Sequence, residues 1–186
     1  AIKGGKISGN KAKASGAGIR SRGALALDGV EISGNEVTDT DGFAGGIDVE
    51  SGSISITGKN HTFGNKAAGA ASDLCLPVGI KINVTGSLAG STIGVSAAFT
   101  TSPTIDTPVA FTTNYRVKNA AIKPGKIFKG QPCSDGDTYG IAANSAGEAS
   151  FAIGGGGADY GADEYDFGFE LADSQDEDVT AVYLEK

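Results

Sequence analysis

Apolar residues recur at every second position in short runs along the first half of the chain. Ile47 and Val49 alternate with polar neighbours, Ser51-Gly52 interrupts them, and Ile54 and Ile56 resume the alternation. Such a period of two predicts short strands with one inward face, and the small-residue pairs between them predict tight turns. A third short strand then leads into an asparagine. The whole phrase repeats: "ISGN" stands at Ile7 to Asn10 and at Ile32 to Asn35, and "TFGN" at Thr62 to Asn65. The asparagines fall at steps of 25 and 30 residues, and the Gly18-Ile19 and Gly46-Ile47 pairs at a step of 28. In "SDLCLPVGIKINVTG", Leu74 and Leu76 stand where the other units have their "GI" strand.

Three short strands per unit, repeated, are the rhythm of a right-handed parallel β-helix in which each unit is one coil. The predicted fold is all-β, a β-solenoid closed by a C-terminal β cap, because one coil cannot bury its apolar face alone. Asn10, Asn35 and Asn65 are then expected to stack at one corner as an amide ladder. The alternative is that each caps its own turn. Gly46 and Ile47 anchor the adjoining corner and strand, where a glycine fits a backbone that leaves no room for a Cβ.

The paired "GGI" at Gly45-Gly46-Ile47 and the apolar-x-x-Asn of Ile32 to Asn35 resemble the GGAI and FxxN repeats of chlamydial polymorphic outer membrane proteins. Similar repeats occur in large β-helical surface proteins of spirochaetes and other anaerobes. "GIKINVTGSLAGSTIGV", Gly79 to Val95, is similar to the end of such repeat regions. The resemblance covers about residues 1–100, weakens to about 155 and is absent from the last thirty. It implies an exported, displayed region, as in members regarded as adhesins. The chain departs from the pattern in having one complete "GGI" and Thr62 where the other motif has Phe.

Beyond Ser87 the phrase dissolves, yet strand patterning continues at Ile93, Val95 and Ala97, in "TPVAFTTNY", and on both sides of a turn at Asn144 to Gly147. Pro124-Gly125 reads as a turn, and no segment has the periodicity of an amphipathic helix. The expected organisation is coils over 1–153, the later ones with long corners or forming a β cap, a Gly-rich linker over 154–163, and a hairpin over 164–186 covering the open end.

Composition narrows the function. Thirty glycines among 186 residues, with no Trp and no Met, suit strands and turns. A net charge of -7 repels nucleic acid and anionic lipid, and no apolar run approaches the roughly 20 residues that span a bilayer. The chain reads as a piece of a longer or processed precursor. Cys75 and Cys133 are equally compatible with a disulfide and with two small buried hydrophobes.

Candidate chemistry is thin. Pectin-cleaving β-helix enzymes carry "NTD", "DD", "GHG" and "RIK" segments, and none is present. The single histidine, His61, has no recognisable acidic partner in sequence. Asp39 and Asp41 in "DTDG" are candidate calcium ligands, with Glu50 at the twelfth position, against a solvated polar corner; "SDGD" at Ser134 to Asp137 is a second candidate. Gly154 to Gly157 lacks the Gly-Lys-Ser/Thr ending of a phosphate loop. Asn60 and Asn83 match glycosylation sequons, and the threonines form no regular array of the ice-binding kind. No catalytic residue or cofactor emerges. The expected function is non-catalytic: a stiff stalk of a bacterial cell-surface, outer-membrane or secreted protein, presenting loops to a host or neighbouring-cell protein or polysaccharide. The loops are 36–44 and 112–138, the latter carrying Arg116, Lys118, Lys123, Lys126 and Lys129. The alternative is a carbohydrate-active or glycan-binding β-helix.

Overall fold

The structure, a computed structural model, describes residues 1–104 and 106–154. Coil one contains β1 (Ile2–Lys3), β2 (Lys6–Ser8), β3 (Lys11–Ala12) and β4 (Ile19–Ser21). Coil two repeats them as β5 (Ala24–Asp28), β6 (Glu31–Ser33), β7 (Glu36–Val37) and β8 (Ile47–Val49). Coil three has β9 (Ser53–Thr57), β10 (His61–Phe63), β11 (Lys66–Ala67), a short return strand β12 (Ala70–Ala71), and β13 (Leu74–Leu76). Coil four is reduced to β14 (Ile82–Val84) and β15 (Thr92–Ala97). Equivalent strands pair in parallel from coil to coil, giving a parallel β-solenoid of about four turns.

Register turns the sequence repeat into columns of side chains. Leu25, Ile54 and Ile82 lie in line, as do Leu27, Ile56 and Val84 on the same face. On the next face Ile19, Ile47, Leu74 and Val95 form another column, so Leu74 does occupy the slot of the "GI" isoleucines. All of these but Ile19 are buried, and Ile54 and Ile47 are fully so. Aliphatic side chains at ~4.8 Å spacing fill a narrow interior completely, which is why alternating Ile, Val and Leu suffice without large rings.

Strand β15 changes the geometry. Its start pairs with β10 and its end with β13, so one continuous strand replaces two strands and the corner between them. The excursion that coils one to three make between their asparagine and their third face is absent from coil four.

The chain then rebuilds a fifth, irregular layer. β16 (Val109–Ala110) is followed by β17 (Thr112–Thr113), which continues the first face beneath β14. The corner after β17 is helical, with α1 (Tyr115–Asn119) and α2 (Pro124–Ile127), and β18 (Phe128–Gly130) resumes the parallel pairing beneath β15. Each helix is about one turn, too short to carry the 3.6-residue period of an amphipathic helix, and the sequence accordingly shows none here. Pro124 opens α2 rather than a simple turn, because its missing N–H is harmless at a first helical position. Parallel pairing stops at β18. The last strands, β19 (Tyr139–Ala143) and β20 (Ala149–Gly154), form an antiparallel hairpin that also pairs with β16. Residues 139–153 therefore belong to a β cap and not to a coil.

Aromatic rings gather at this end. Phe111 packs on Phe128 and Phe151 with centroids 5.1 and 4.6 Å away, and Phe99 meets Tyr139 and Phe151 at 5.5 and 5.4 Å. Edge-to-face rings close the solenoid interior where no further aliphatic layer follows. The linker from Gly155 onward and the hairpin expected at 164–186 lie outside the described residues.

One column is imperfect. Ile7, Ile32, Thr62 and Ile93 are in register, and the Thr62 hydroxyl is buried without a hydrogen-bond partner. Replacing it by the near-isosteric valine removes an unpaired polar atom from an apolar stack. Thr62→Val is expected to raise the unfolding free energy by about 1 kcal/mol, read by urea denaturation, with the far-UV spectrum unchanged. A loss of stability would mean that the hydroxyl is satisfied in the folded protein.

Candidate functional site

The three repeat asparagines form a continuous ladder. The Asn10 backbone N–H and Nδ2 donate to Asn35 Oδ1 at 3.1 and 2.9 Å. Asn35 repeats both bonds to Asn65 Oδ1 at 3.0 and 2.8 Å. Two of the amides also reach back to the preceding coil, Asn35 Nδ2 to the Ile7 carbonyl and Asn65 Nδ2 to that of Ile32. Asn35 and Asn65 are fully buried, whereas Asn10 at the first coil is exposed.

Two further rungs were not foreseen. Asp73 Oδ1 accepts from the Asn65 backbone N–H and Nδ2 at 3.0 and 2.6 Å. Gln131 donates through Nε2 to Asp73 Oδ2 at 2.5 Å, and its Oε1 accepts from the Asp73 N–H at 2.7 Å. Asp73 precedes Leu74 as Gly46 precedes Ile47, so it occupies the glycine slot of its coil. That offset was the available signal. Gln131 lies 58 residues away, and nothing in its neighbourhood announces it.

The ladder also explains the glycines. A Cβ on Gly46 would fall on the Asp73 carbonyl oxygen and lie 3.0 Å from Asn65 Nδ2; one on Gly18 would lie 3.1 Å from Asn35 Nδ2. A Cβ on Gly94 would collide with the Asp73 carboxylate and the Gln131 amide. The "GGI" and apolar-x-x-Asn motifs are two halves of one contact: the amide needs the space that the missing side chain leaves. Ile47 follows directly as the first buried residue of β8.

A second corner uses different groups for the same task. Asn60 Oδ1 accepts from the Val30 N–H and Ser91 Oγ from the Asn60 N–H, each at 3.0 Å, while Asn119 Oδ1 caps the Leu88 N–H at 2.8 Å. Asn60 is 1 % exposed and its amide is bound to the Thr57 and Gly58 carbonyls, so this sequon offers no acceptor on the folded protein. Asn83 is exposed, and its Oδ1 accepts from Asn114 Nδ2.

The charged candidates lie outside the ladder. Asp39 and Asp41 are exposed on the loop after β7, around an open hollow of about 560 Å3 shared with Arg20, Thr38 and Phe43. No group of three or more His, Cys, Asp or Glu able to hold a metal occurs among the described residues. Glu50 is engaged by Arg20 and Arg22 at 2.6 and 2.9 Å, which hold its carboxyl below the usual carboxylate range, the Arg22 hydrogen bond contributing most. Asp135 accepts from the hydroxyls of Ser102 and Tyr139 at 2.5 and 2.6 Å, a turn held by neutral donors.

His61 does have an acidic neighbour, which is a correction. Parallel register sets it beside Glu31, whose carboxyl is already bound by Lys6 at 2.8 Å and Ser33 at 2.9 Å. Those hydrogen bonds, that of Lys6 first, hold the Glu31 carboxyl below its ordinary range. The neighbour was hidden because it lies one full coil away.

Cys75 and Cys133 are free thiols. Burial raises both, and Cys133 is pushed up to about 12. Cys75 lies beside Ser96 on β15, while Cys133 Sγ accepts from the Ala97 N–H at 3.4 Å.

No protein-family model, curated protein or solved structure matches the chain.

Two outcomes are expected. Asn65→Ala orphans the buried Asn35 N–H and amide and should cost about 1–3 kcal/mol for each donor left unsatisfied. Asn10→Ala, at the exposed first rung, should cost far less; equal losses by denaturant titration would refute a load shared along the ladder. For the thiols, only the thiolate attacks a disulfide reagent. At neutral pH the native protein should label slowly at both cysteines and rapidly after denaturation without reductant. Absence of the denatured signal would reveal a disulfide.

Proposed function

We propose that the chain is a non-catalytic segment of a bacterial cell-surface or secreted protein, a stiff β-helical stalk that presents its corners for adhesion or surface interaction. The observation that carries this reading is how the residues divide. Those that repeat from coil to coil are consumed internally, in the aliphatic columns and the amide ladder. Those that differ project from the corners. Between the ladder and the third face, coil one crosses from Asn10 to Gly18, coil two makes the longer crossing from Asn35 to Gly46, and coil three folds back through β12. A frame that holds its cross-section while its corners vary suits display.

The likeness of the "GGI" and apolar-x-x-Asn phrases to chlamydial outer membrane protein repeats supports the same reading. A glycan-binding variant is favoured by the hollow beside Phe43, which is 63 % exposed among Asp39, Asp41 and Thr38. An exposed ring with polar neighbours suits a sugar face.

The test is an array of surface proteins and polysaccharides probed with the purified chain, with calcium and with EDTA, followed by incubation with any polysaccharide bound. Binding without new reducing ends or unsaturated products is the expected result. Chain cleavage at a rate proportional to protein concentration would overturn the non-catalytic reading.

A further inference from the structure

Charge is segregated by coil. Coil one, residues 1–23, carries six cations, Lys3, Lys6, Lys11, Lys13, Arg20 and Arg22, and no acid. Coil two, residues 24–52, carries seven acids and no cation. Parallel register sets one against the other, with Lys6, Lys11 and Arg20 in line with Glu31, Glu36 and Asp48. Lys6 pairs with Glu31, Lys11 with Glu36, and Arg20 and Arg22 with Glu50. Where the stack continues, one charge serves two neighbours. Glu36 lies in register between Lys11 and Lys66, and Glu31 between Lys6 and His61.

The outer side of coil one repeats this interface with nothing upon it. Among the described residues β1, β2, β3 and β4 each stand at the end of their sheet, so one backbone edge of each has no partner strand. Ile2, Ile7 and Ile19 head the aliphatic columns and are half-buried, whereas Leu27, Ile32 and Ile47 beside them are buried. Asn35 Oδ1 and Asn65 Oδ1 each accept two bonds from the asparagine one coil before, but Asn10 Oδ1 accepts none among the described residues. Strand edges, aliphatic columns and ladder all stop at one plane, and the ladder stops there on an acceptor.

We propose that this end of the solenoid is a docking surface for the edge coil of a partner β-solenoid, one that is acidic and carries an asparagine at the ladder corner. The partner's strands add in parallel to β1, β2, β3 and β4, and its aliphatic residues cover Ile2, Ile7 and Ile19. Its asparagine donates to Asn10 Oδ1 as Asn10 donates to Asn35. Strand pairing and apolar cover supply the affinity. Carboxylates in register with Lys6, Lys11 and Arg20 supply the selection, because cations placed there would be repelled. Lys3 and Lys13, exposed and without an ion pair among the described residues, add to the same field. A second copy of this chain does not meet these terms. Head to head, it brings six cations against six, and its Asn10 turns its donors toward its own Asn35. Head to tail, it offers Gln131, whose Nε2 and Oε1 are both bound to Asp73.

The test uses the whole chain and, as the acidic coil, a synthetic peptide with the sequence of residues 24–52. The peptide is offered free in solution and, separately, joined ahead of Ala1 by a flexible linker that raises its effective concentration. Amide hydrogen exchange reads the result, because an edge strand that gains a partner becomes protected. Slowed exchange across β1, β2, β3 and β4 in at least one format is expected. The peptide variant N35A, and the combined peptide variant E31Q, E36Q and D48N, should each bind about tenfold more weakly. Changing the chain at K59Q and K66Q, exposed lysines of coil three, should alter binding less than about twofold; a thermal melt matched to the parent establishes that this variant folds. Protection in neither format would overturn the proposal. So would undiminished binding of either altered peptide, or equal protection by polyglutamate, which has the charge without the coil. Self-association that protects the same strands, read by sedimentation, would assign the face to a second copy and overturn it. Ten of the chain's 22 acidic residues lie in 155–186. Protection of β1 to β4 already present in the chain alone, and lost on removal of that segment, would assign the face to the chain's own acidic end and likewise overturn it.

Discussion

One amide that donates to the next coil while accepting from the one before sets the terms for the rest of the molecule. It must be an asparagine, because the side chain has to bond both a backbone N–H and the next amide within one coil spacing. It must face a glycine, because Gly18 and Gly46 leave the space it fills. Once both are fixed, the turn is fixed, and so is the direction in which the next strand enters. The aliphatic columns follow from that alignment. A shift of register by one residue would turn every Ile and Leu outward and strand the buried amides.

The ladder ends in a different chemistry from the one that begins it. Asp73 replaces an amide by a carboxylate, and Gln131 closes the line from the irregular fifth layer. An acceptor-only group can take bonds from both sides without asking for a donor site of its own. Asp73 therefore works as a junction where the regular coils meet the cap. The change coincides with the point where β15 runs straight through and the corner disappears.

What could be read from the sequence is what repeats. The strands of coils one to three, the asparagine stack and the alignment of Leu74 with Ile47 all rest on periodic residues, and periodicity is visible without a structure. The parts that stayed hidden are single events. The helices at Tyr115–Asn119 and Pro124–Ile127 are too short for a helical period to register. Glu31 beside His61 and Gln131 beside Asp73 are contacts across 30 and 58 residues, with no second instance to give them away. The basic residues of 112–138 were legible as a local excess, but which cations of the chain are paired depended on where the carboxylates lay: Lys6, Lys11, Arg20 and Arg22 meet acids of the next coil.

Strand β15 carries a consequence for how such a chain can lengthen or shorten. Upstream of it, coils one to three share one outline, so a whole unit from one asparagine to the next could be duplicated or lost with every rung, column and strand edge still meeting an equivalent. At β15 two strands become one and the outline contracts. A copied unit placed after it would find no corner amide to bond and a face too narrow to pair with. The array is thus extensible in whole turns before this strand and closed after it, which confines tolerated changes of length to one side of a boundary drawn by backbone geometry.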